Sequence, residues 1–374
     1  MSLQLTNWQL AHRVLVFILN LTMCQGGYDE DDSLTPEKGV DVATKPNLFS
    51  IATKELSQDA FIAWLLQWGD ERYKNADSEL HSIGQRFVRF LINLQFGLDC
   101  YEVHKVEVWR QWSNIDIWVE VNDEICIIIE DKTGTSEHDD QLGRYSKLVR
   151  DYYANKGIWK VAFVYLKTSL EDVNIVKEVE QKGWSYCSRT AFLSFLLSSK
   201  TSNDIYNEFT EALEEKEKES KSLNWGSWEA TQGLYCYLQE SLGEWSGWRY
   251  VANPSGGFLG LYFHWKGLKS DNNVEYYLQI ENNCYDVCRL VIKITGSWNG
   301  TTGYLYDRLG YLQAESDKYG LSVSKPARYR VGEYTTLAII DDAFKFENDK
   351  VDVPHLLKAI RSAMALVDDI AENS

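Results

Sequence analysis

The sequence lacks three features that would each define a class of protein. Its 7 cysteines include no CxxC pair, which argues against a disulfide framework or a zinc knuckle and favours a reducing cytoplasm. No apolar run is long enough to cross a bilayer, so we expect no membrane partner. Basic residues number 38 and acidic residues 55, and the net charge of −17 restricts nucleic-acid binding to a local basic face.

The N-terminal segment leaves three interpretations open. The stretch RVLVFILNLTMC, residues 13 to 24, combines an arginine, a short apolar run and a cysteine, as in the signal of an exported bacterial lipoprotein. The run is too short to span a membrane, and no small residues precede Cys24. The other two interpretations are a buried first helix and a start codon placed too early.

The length of 374 residues predicts two domains. A charge-dense stretch, NEFTEALEEKEKESKSLNW at residues 207 to 225, predicts a helix that runs into a solvated link. The link separates a first domain from an aromatic-rich region whose pattern predicts an α+β domain with an antiparallel sheet. The predicted divisions are an N-terminal helix and acidic linker at 1–48, the first domain at 49–205, the charged helix or linker at 206–224 and the α+β domain at 225–374.

Within the first domain, helical spacing predicts helices from about Thr53 to Gln67 and from about Ser82 to Phe96. Four strand-like runs follow, YEVHKVEVW, IDIWVEV, EICIIIE and WKVAFVYL. A predicted helix from about Asp139 to Tyr153 separates the last two runs.

The second and third runs predict a hairpin that brings charges together. If its turn is Asn122 to Glu124, then Val121 pairs with Ile125, and counting back sets Asp116 opposite Glu130. Like charges in opposition destabilise a sheet unless a cation lies between them, and two carboxylates with room for water suit Mg²⁺ or Mn²⁺. Lys132 follows on the same face, where it could steady an attacking water or the charge that develops on a phosphate.

Three sequence elements occur in an order typical of one nuclease family: a carboxylate before a hairpin, a carboxylate and a lysine after it, and a glutamine and a tyrosine on the next helix. They are Asp116, Glu130-Asp131-Lys132 and Gln141-Leu142-Gly143-Arg144-Tyr145. This arrangement resembles the PD-(D/E)XK nuclease superfamily, and its Gln-x-x-x-Tyr element is similar to that of the RecB-like branch. The resemblance covers roughly residues 50 to 200 and implies a restriction-endonuclease-like αβββαβ core, with a mixed central sheet flanked by helices. Ile115 stands where the family name has a proline.

The resemblance also implies roles for single residues. Asp116 and Glu130 would bind Mg²⁺ or Mn²⁺, the backbone carbonyl of Asp131 would be a further ligand, and Glu55 on the first helix would lie near the metal.

Catalysis and substrate positioning would fall to the remaining motif residues. Lys132 would be catalytic, and Gln141 and Tyr145, one helical turn apart, would position the substrate or the attacking water. Three basic residues of the same helix are candidates for phosphate contacts: Arg144, Lys147 and Arg150.

The function implied is metal-dependent hydrolysis of phosphodiester bonds, of DNA by analogy, in bacterial defence or DNA processing. The alternative is a catalytically silent nuclease fold that acts as a binding or regulatory module, which the charge of −17 favours and the complete set of motif residues opposes. Glu130 and Lys132 could also be only a strand-end ion pair, and the basic helix face only a solvated surface. We expect the acidic C-terminal region to contact a protein partner or a second copy of the chain.

Overall fold

The computed structural model describes most of the chain beyond residue 45. The described ranges are 46–98, 100–134, 140–157, 160–243, 245–253, 256–285, 287–298 and 300–373. The predicted N-terminal helix and acidic linker lie outside them. Asn47–Ser374 form one compact unit. Within the described ranges, no helix is long and apolar enough to cross a membrane.

The first sheet has five strands in the order β1-β2-β3-β4-β5. The strands are β1 (Val106–Trp112), β2 (Ile115–Val121), β3 (Ile125–Lys132), β4 (Lys160–Lys167) and β5 (Ser185–Ser188). The first three form an antiparallel meander, whereas β3, β4 and β5 are parallel. This is the mixed sheet that the sequence predicts.

Helices cover both faces of the first sheet. They are α1 (Leu48–Ile51), α2 (Glu55–Gln67), α3 (Ser78–Phe96), α4 (Gln141–Tyr153), α5 (Val173–Gln181), α6 (Arg189–Leu197) and α7 (Asp204–Glu219). On one face, Ile117 and Ile129 pack with buried residues of α2, α3, α6 and α7. On the other face, Trp118 and Ile128 pack with α4 and α5. Strand alternation therefore divides the side chains of β2 and β3 between two cores.

The register of the β2–β3 hairpin agrees with the prediction. Val121 pairs with Ile125, and the ladder continues to Ile117 opposite Ile129. In the turn, Asn122 and Asp123 have positive φ values of 53° and 57°, a conformation that Asn and Asp tolerate better than most residues. Turn chemistry and the buried isoleucines thus select the same register.

The predicted charged helix is α7. Its inner face buries Tyr206, Phe209 and Leu213 in the first core, so only its outer face is the charged, solvated surface that the composition indicates. The divisions at 205 and 224 stay a prediction.

The second sheet is antiparallel, in the order β10-β11-β9-β8-β7-β6. Its strands are β6 (Ser246–Val251), β7 (Phe258–Leu268), β8 (Asp271–Asn282), β9 (Cys288–Gly296), β10 (Val323–Ser324) and β11 (Thr335–Ile340). The remaining elements are α8 (Trp228–Leu242), α9 (Thr302–Ser316), α10 (Val353–Asn373) and a small hairpin of β12 (Phe346–Glu347) and β13 (Lys350–Val351). One face of the sheet packs against α8, α9 and α10 in a separate core. The α+β pattern predicted for this region is confirmed.

Candidate active site

The site lies where β2 and β3 stop pairing. The ladder ends at Ile117 and Ile129, one pair short of the predicted opposition of Asp116 and Glu130. Beyond this point, Asp116 Oδ2 accepts a hydrogen bond from the backbone N–H of Asp131 at 3.0 Å. A carboxylate therefore replaces the backbone carbonyl as the partner of that N–H, and the strands separate with their charged residues beside one another.

The Lys132 ammonium lies among three carboxylates. Its Nζ is 2.5 Å from Glu130 Oε1, 3.4 Å from Glu55 Oε1 and 3.8 Å from Asp116 Oδ2. Glu55 is the first residue of α2, and its Oε2 also accepts a hydrogen bond from the backbone N–H of Thr133 at 3.4 Å. The structure thus brings together the four side chains predicted for metal binding and catalysis on the strands and the first core helix.

Glu130 is a buried carboxylate whose charged form is disfavoured by its surroundings. It is fully buried; its Oε1 pairs with the Lys132 ammonium, and its Oε2 accepts no hydrogen bond from the described residues. Burial and the neighbouring Asp116 charge raise the pKa of Glu130 to about 8, although Lys132 acts in the opposite direction. Burial alone would lower the pKa of Lys132, but the charges of Glu130, Asp116 and Glu55 outweigh burial and raise it.

This donor set fits a divalent cation. A buried carboxylate with one oxygen free of hydrogen bonds is stabilised by a further cation, and Mg²⁺ and Mn²⁺ prefer oxygen ligands of this kind. Glu130 and Asp116 could hold the ion together with the backbone carbonyl of Asp131, and Glu55 could contact it through water.

Helix α2 supplies two residues that the sequence analysis missed. Gln58 donates a hydrogen bond from Nε2 to Asp131 Oδ1 at 2.5 Å, and Asp59 lies beside Asp131. Burial and the Asp116 charge raise the pKa of Asp59 to about 6, and burial together with Asp59 raises the pKa of Asp131. Both residues follow Glu55 at helical spacing on the same side of α2, a signal in the sequence that could have found them.

Gln111 is a third residue that sequence reasoning missed. Its Nε2 lies 3.1 Å from Asp116 Oδ1 and 3.2 Å from Asp59 Oδ2, so that one amide orients both carboxylates. Its φ of 54° is unusual for glutamine, and no sequence pattern indicates it.

Gln141 and Tyr145 meet at the start of α4. Gln141 Nε2 donates to Tyr145 OH at 3.0 Å, and the Tyr145 hydroxyl donates a hydrogen bond to the carbonyl of Asn114, two residues before Asp116. Burial raises the pKa of Tyr145, and the charges of Glu130 and Asp116 add to the effect. The predicted pair therefore lies beside the carboxylates.

The three basic residues predicted to contact phosphates are all exposed on α4, and they are Arg144, Lys147 and Arg150. The guanidinium of Arg150 lies over the ring of Phe163 at 5.4 Å, which directs it towards β4. Contact with a phosphate stays a prediction for all three.

A second buried lysine lies next to the site. Lys167 pairs with Lys132 in the parallel β3–β4 register, and its Nζ is 2.7 Å from Glu171 Oε2. Burial lowers the pKa of Lys167, the Lys132 charge adds to this, and Glu171 opposes it. The ion pair with Glu171 therefore keeps a second ammonium beside Lys132.

One group of three acidic side chains within the described ranges has oxygens that all lie within 4.8 Å of one another: Glu107, Glu120 and Asp123. Lys105 pairs with two of them, at 3.5 Å from Glu107 and 2.8 Å from Asp123. This surface cluster is separate from the residues around Lys132.

Comparison with known families agrees with the geometry. The chain matches the model of the PD-(D/E)XK nuclease superfamily over residues 46–237, more than half of its 374 residues. The chain belongs to the PD-(D/E)XK nuclease superfamily. The match includes the first sheet and continues into α8, and assignment to the RecB-like branch stays a prediction. Searches of curated proteins and of solved structures gave no significant match.

Proposed function

We propose that this protein is a metal-dependent nuclease that hydrolyses phosphodiester bonds of DNA. The observation that carries the proposal is the position of the Lys132 ammonium among Glu130, Asp116 and Glu55. Glu130 is fully buried and its Oε2 accepts no hydrogen bond from the described residues, which is a costly arrangement in a site that serves only stability. Superfamily membership supports the same reaction.

The proposed division of roles follows the geometry. Glu130, Asp116 and the Asp131 carbonyl hold Mg²⁺ or Mn²⁺, which when bound supplies Lewis acidity and lowers the pKa of water. Lys132 donates a hydrogen bond to the attacking water or to a phosphate oxygen and stabilises the charge that develops there. Gln111 keeps the Asp116 carboxylate aimed at the site.

Residues of α4 would position the substrate. Gln141 and Tyr145 are hydrogen-bonded to each other and tied to Asn114, so their polar groups have a fixed direction beside the carboxylates. The exposed cations Arg144, Lys147 and Arg150 would contact flanking phosphates.

The cellular location and the biological role are also part of the proposal. The cysteines of the described ranges are free thiols, as a reducing cytoplasm allows. A role in bacterial defence or DNA processing fits a nuclease joined to a second sheet of different architecture, and that region would contact a protein partner or a second copy of the chain.

The test is cleavage of linear, circular and single-stranded DNA with Mg²⁺, Mn²⁺ or EDTA. We expect Lys132→Ala and Glu130→Ala to lower the rate at least about 100-fold, because the first removes the cation at the reacting phosphate and the second removes a ligand of the metal. The control is Lys318→Ala, which removes an exposed lysine paired with Glu315 and should leave the rate unchanged. Circular dichroism would show that each variant is folded. Cleavage that persists in EDTA or in Lys132→Ala would contradict the proposal.

A silent binding module is the second candidate, and one observation favours it. The Lys132 ammonium already lies against Glu130 at 2.5 Å, so an internal ion cluster could be kept without a metal. Calorimetric titration with Mn²⁺ distinguishes the two candidate functions. The nuclease predicts Mn²⁺ binding that is lost in Glu130→Ala, whereas the silent module predicts no such binding.

A further inference from the structure

We propose that an aromatic strip beside the candidate active site stacks the bases of an unpaired polynucleotide strand. The strip consists of Trp109 and Trp112 on β1 and Tyr152 on α4, with Lys156 at its border. The inference rests on the proposed function, because it names the form of the substrate that the same site would cleave.

The strip is built on a rigid floor. The Trp112 ring lies 4.4 Å from the ring of Trp118, which is 1% exposed, and 5.3 Å from the ring of Tyr152. Trp109 continues the row, with its ring 5.8 Å from that of Trp112. Because buried side chains fix the lower rings, the upper faces can receive a flat group at little cost in conformational entropy.

Packing explains part of the strip but not its outer end. Trp112 and Tyr152 are half-buried and fill the surface of the second core. Trp109 lies on an edge strand and is 37% exposed. Among the described residues, its ring contacts the ring of Trp112. Part of its ring is therefore open to a ligand.

The strip also lies at the mouth of the site. Gln111, between the strip residues of β1, contacts Asp116, and Asn114 at the tip of the β1–β2 hairpin accepts the Tyr145 hydrogen bond. Positive φ values at Gln111, Ser113 and Asn114 give this tip its shape. A nucleotide stacked on the strip is therefore close to the residues that would hold the reacting phosphate.

Charge decides which flat ligand the strip would take. Lys156 Nζ lies 3.3 Å from the centre of the Tyr152 ring, whereas Arg110 lies on the opposite face of β1 and donates a hydrogen bond to the carbonyl of Leu56 at 2.8 Å. Aromatic rings beside a cation fit single-strand binding, in which bases stack and phosphates meet basic groups. A duplex hides its base faces within its own stack, so the rings could serve only an unpaired strand, of DNA or RNA.

The test compares binding of four fluorescein-labelled probes of about 16 nucleotides in EDTA, so that nothing is cut. The probes are single-stranded DNA, single-stranded RNA, the DNA duplex and an abasic strand that keeps the phosphates without the bases. The variants are Trp109→Ala and Trp109→Phe. The matched control is Trp245→Ala, because Trp245 is 58% exposed with a ring neighbour, Tyr262, at 5.9 Å.

We expect Trp109→Ala to weaken single-strand binding roughly tenfold, the loss of one stacked base. Trp109→Phe should retain most of the affinity, the control should retain all of it, and the duplex and abasic strand should bind wild type and Trp109→Ala alike. The tighter of the DNA and RNA probes identifies the natural strand. Equal affinity of wild type and Trp109→Ala for both single strands would overturn the inference. So would a change confined to self-association in sedimentation, which would make the strip an interface between copies.

Parallel cleavage assays with Mg²⁺ keep the two proposals apart. If wild type cuts DNA and Trp109→Ala both binds and cuts single strands normally, the nuclease proposal stands and the strip is not a substrate surface. If no polynucleotide is cut but single-strand binding depends on Trp109, the strip stands and the nuclease proposal fails.

Discussion

At the scale of single residues, a buried charged side chain of the candidate active site is unfavourable for the stability of the fold. Glu130 is buried and its Oε2 accepts no hydrogen bond from the described residues, and its pKa is raised to about 8 because burial and Asp116 disfavour its charge. A hydrophobic residue at the end of β3 would suit the fold better. The combination is typical of a functional site, where local strain is maintained by the surrounding packing.

Asp70 is a carboxylate whose pKa is lowered rather than raised, and it gives a prediction about pH. Its Oδ1 accepts a hydrogen bond from Arg72 Nε at 2.8 Å, and its Oδ2 accepts one from the backbone N–H of Val106 at 2.8 Å. Burial would raise the pKa of Asp70, but these hydrogen bonds outweigh burial and lower it. The ionised form is therefore favoured in the folded state, and this contribution is present above the ordinary pKa and lost as the pH falls through the lowered one.

We expect Asp70→Asn to lower the free energy of unfolding at pH 7 by about 1–3 kcal/mol, because a charged acceptor of the buried Val106 N–H and of Arg72 is replaced by an amide. The difference from wild type should shrink at pH 3, which is below the ordinary pKa of an aspartate in the unfolded state. Urea unfolding at the two pH values measures it, and Asp307→Asn, an exposed site on α9, is the control. A difference that does not depend on pH would contradict the assignment.

At the scale of elements, the β2–β3 hairpin was the most predictable part. Its turn residues and its alternating isoleucines select one register, which the pairing of Val121 with Ile125 confirms. The αβββαβ core was proposed through the family resemblance, with which the order of helices and strands agrees. The contact between Lys132 and Glu55 could be proposed only through the family resemblance, because it joins two elements that are distant in sequence. Gln111 could not be proposed at all, since its role depends on a backbone conformation that glutamine rarely adopts.

The packing of α3 against the end of α2 gives a prediction about a single glycine. A Cβ on Gly84 would lie 2.4 Å from Gly69 N and 2.8 Å from Leu65 O, both backbone atoms that cannot move independently. We expect Gly84→Ala to lower the free energy of unfolding by about 1–3 kcal/mol, because α3 must shift away from α2.

The matched control is Gly310→Ala on α9, where a Cβ meets no atom within 4 Å. Alanine there should raise the free energy of unfolding by about 0.5–1 kcal/mol, since it has the higher helix propensity. Thermal and urea unfolding of the two variants measure both changes. Equal effects of the two substitutions would show that α3 does not approach α2 as closely as described.

At the scale of the whole molecule, the loop between β4 and α5 links the first sheet to the second. Asp172 in this loop is buried, and its Oδ2 accepts a hydrogen bond from the backbone N–H of Trp248 in β6 at 2.5 Å. Its Oδ1 accepts hydrogen bonds from the backbone and side chain of Asn174 and, at 3.3 Å, from Gln239 of α8. One carboxylate thus connects the loop that follows β4 to two elements of the second sheet region. Composition alone could not predict this joint, because the contact depends on how the two regions pack.

We expect Asp172→Ala to lower the free energy of unfolding by about 2–4 kcal/mol, because several buried donors lose a charged acceptor at once. The loss should be local: the Trp248 amide should exchange its hydrogen faster, while amides of β3 keep their protection. Urea unfolding gives the magnitude and hydrogen exchange followed by mass spectrometry gives the location. Asp307→Ala, on the exposed side of α9, should change the free energy of unfolding by less than about 0.5 kcal/mol. If Asp172→Ala is as stable as this control, the attachment of the two sheets does not depend on Asp172. If protection is lost evenly over both sheets, the joint supports the whole unit rather than the attachment of β6.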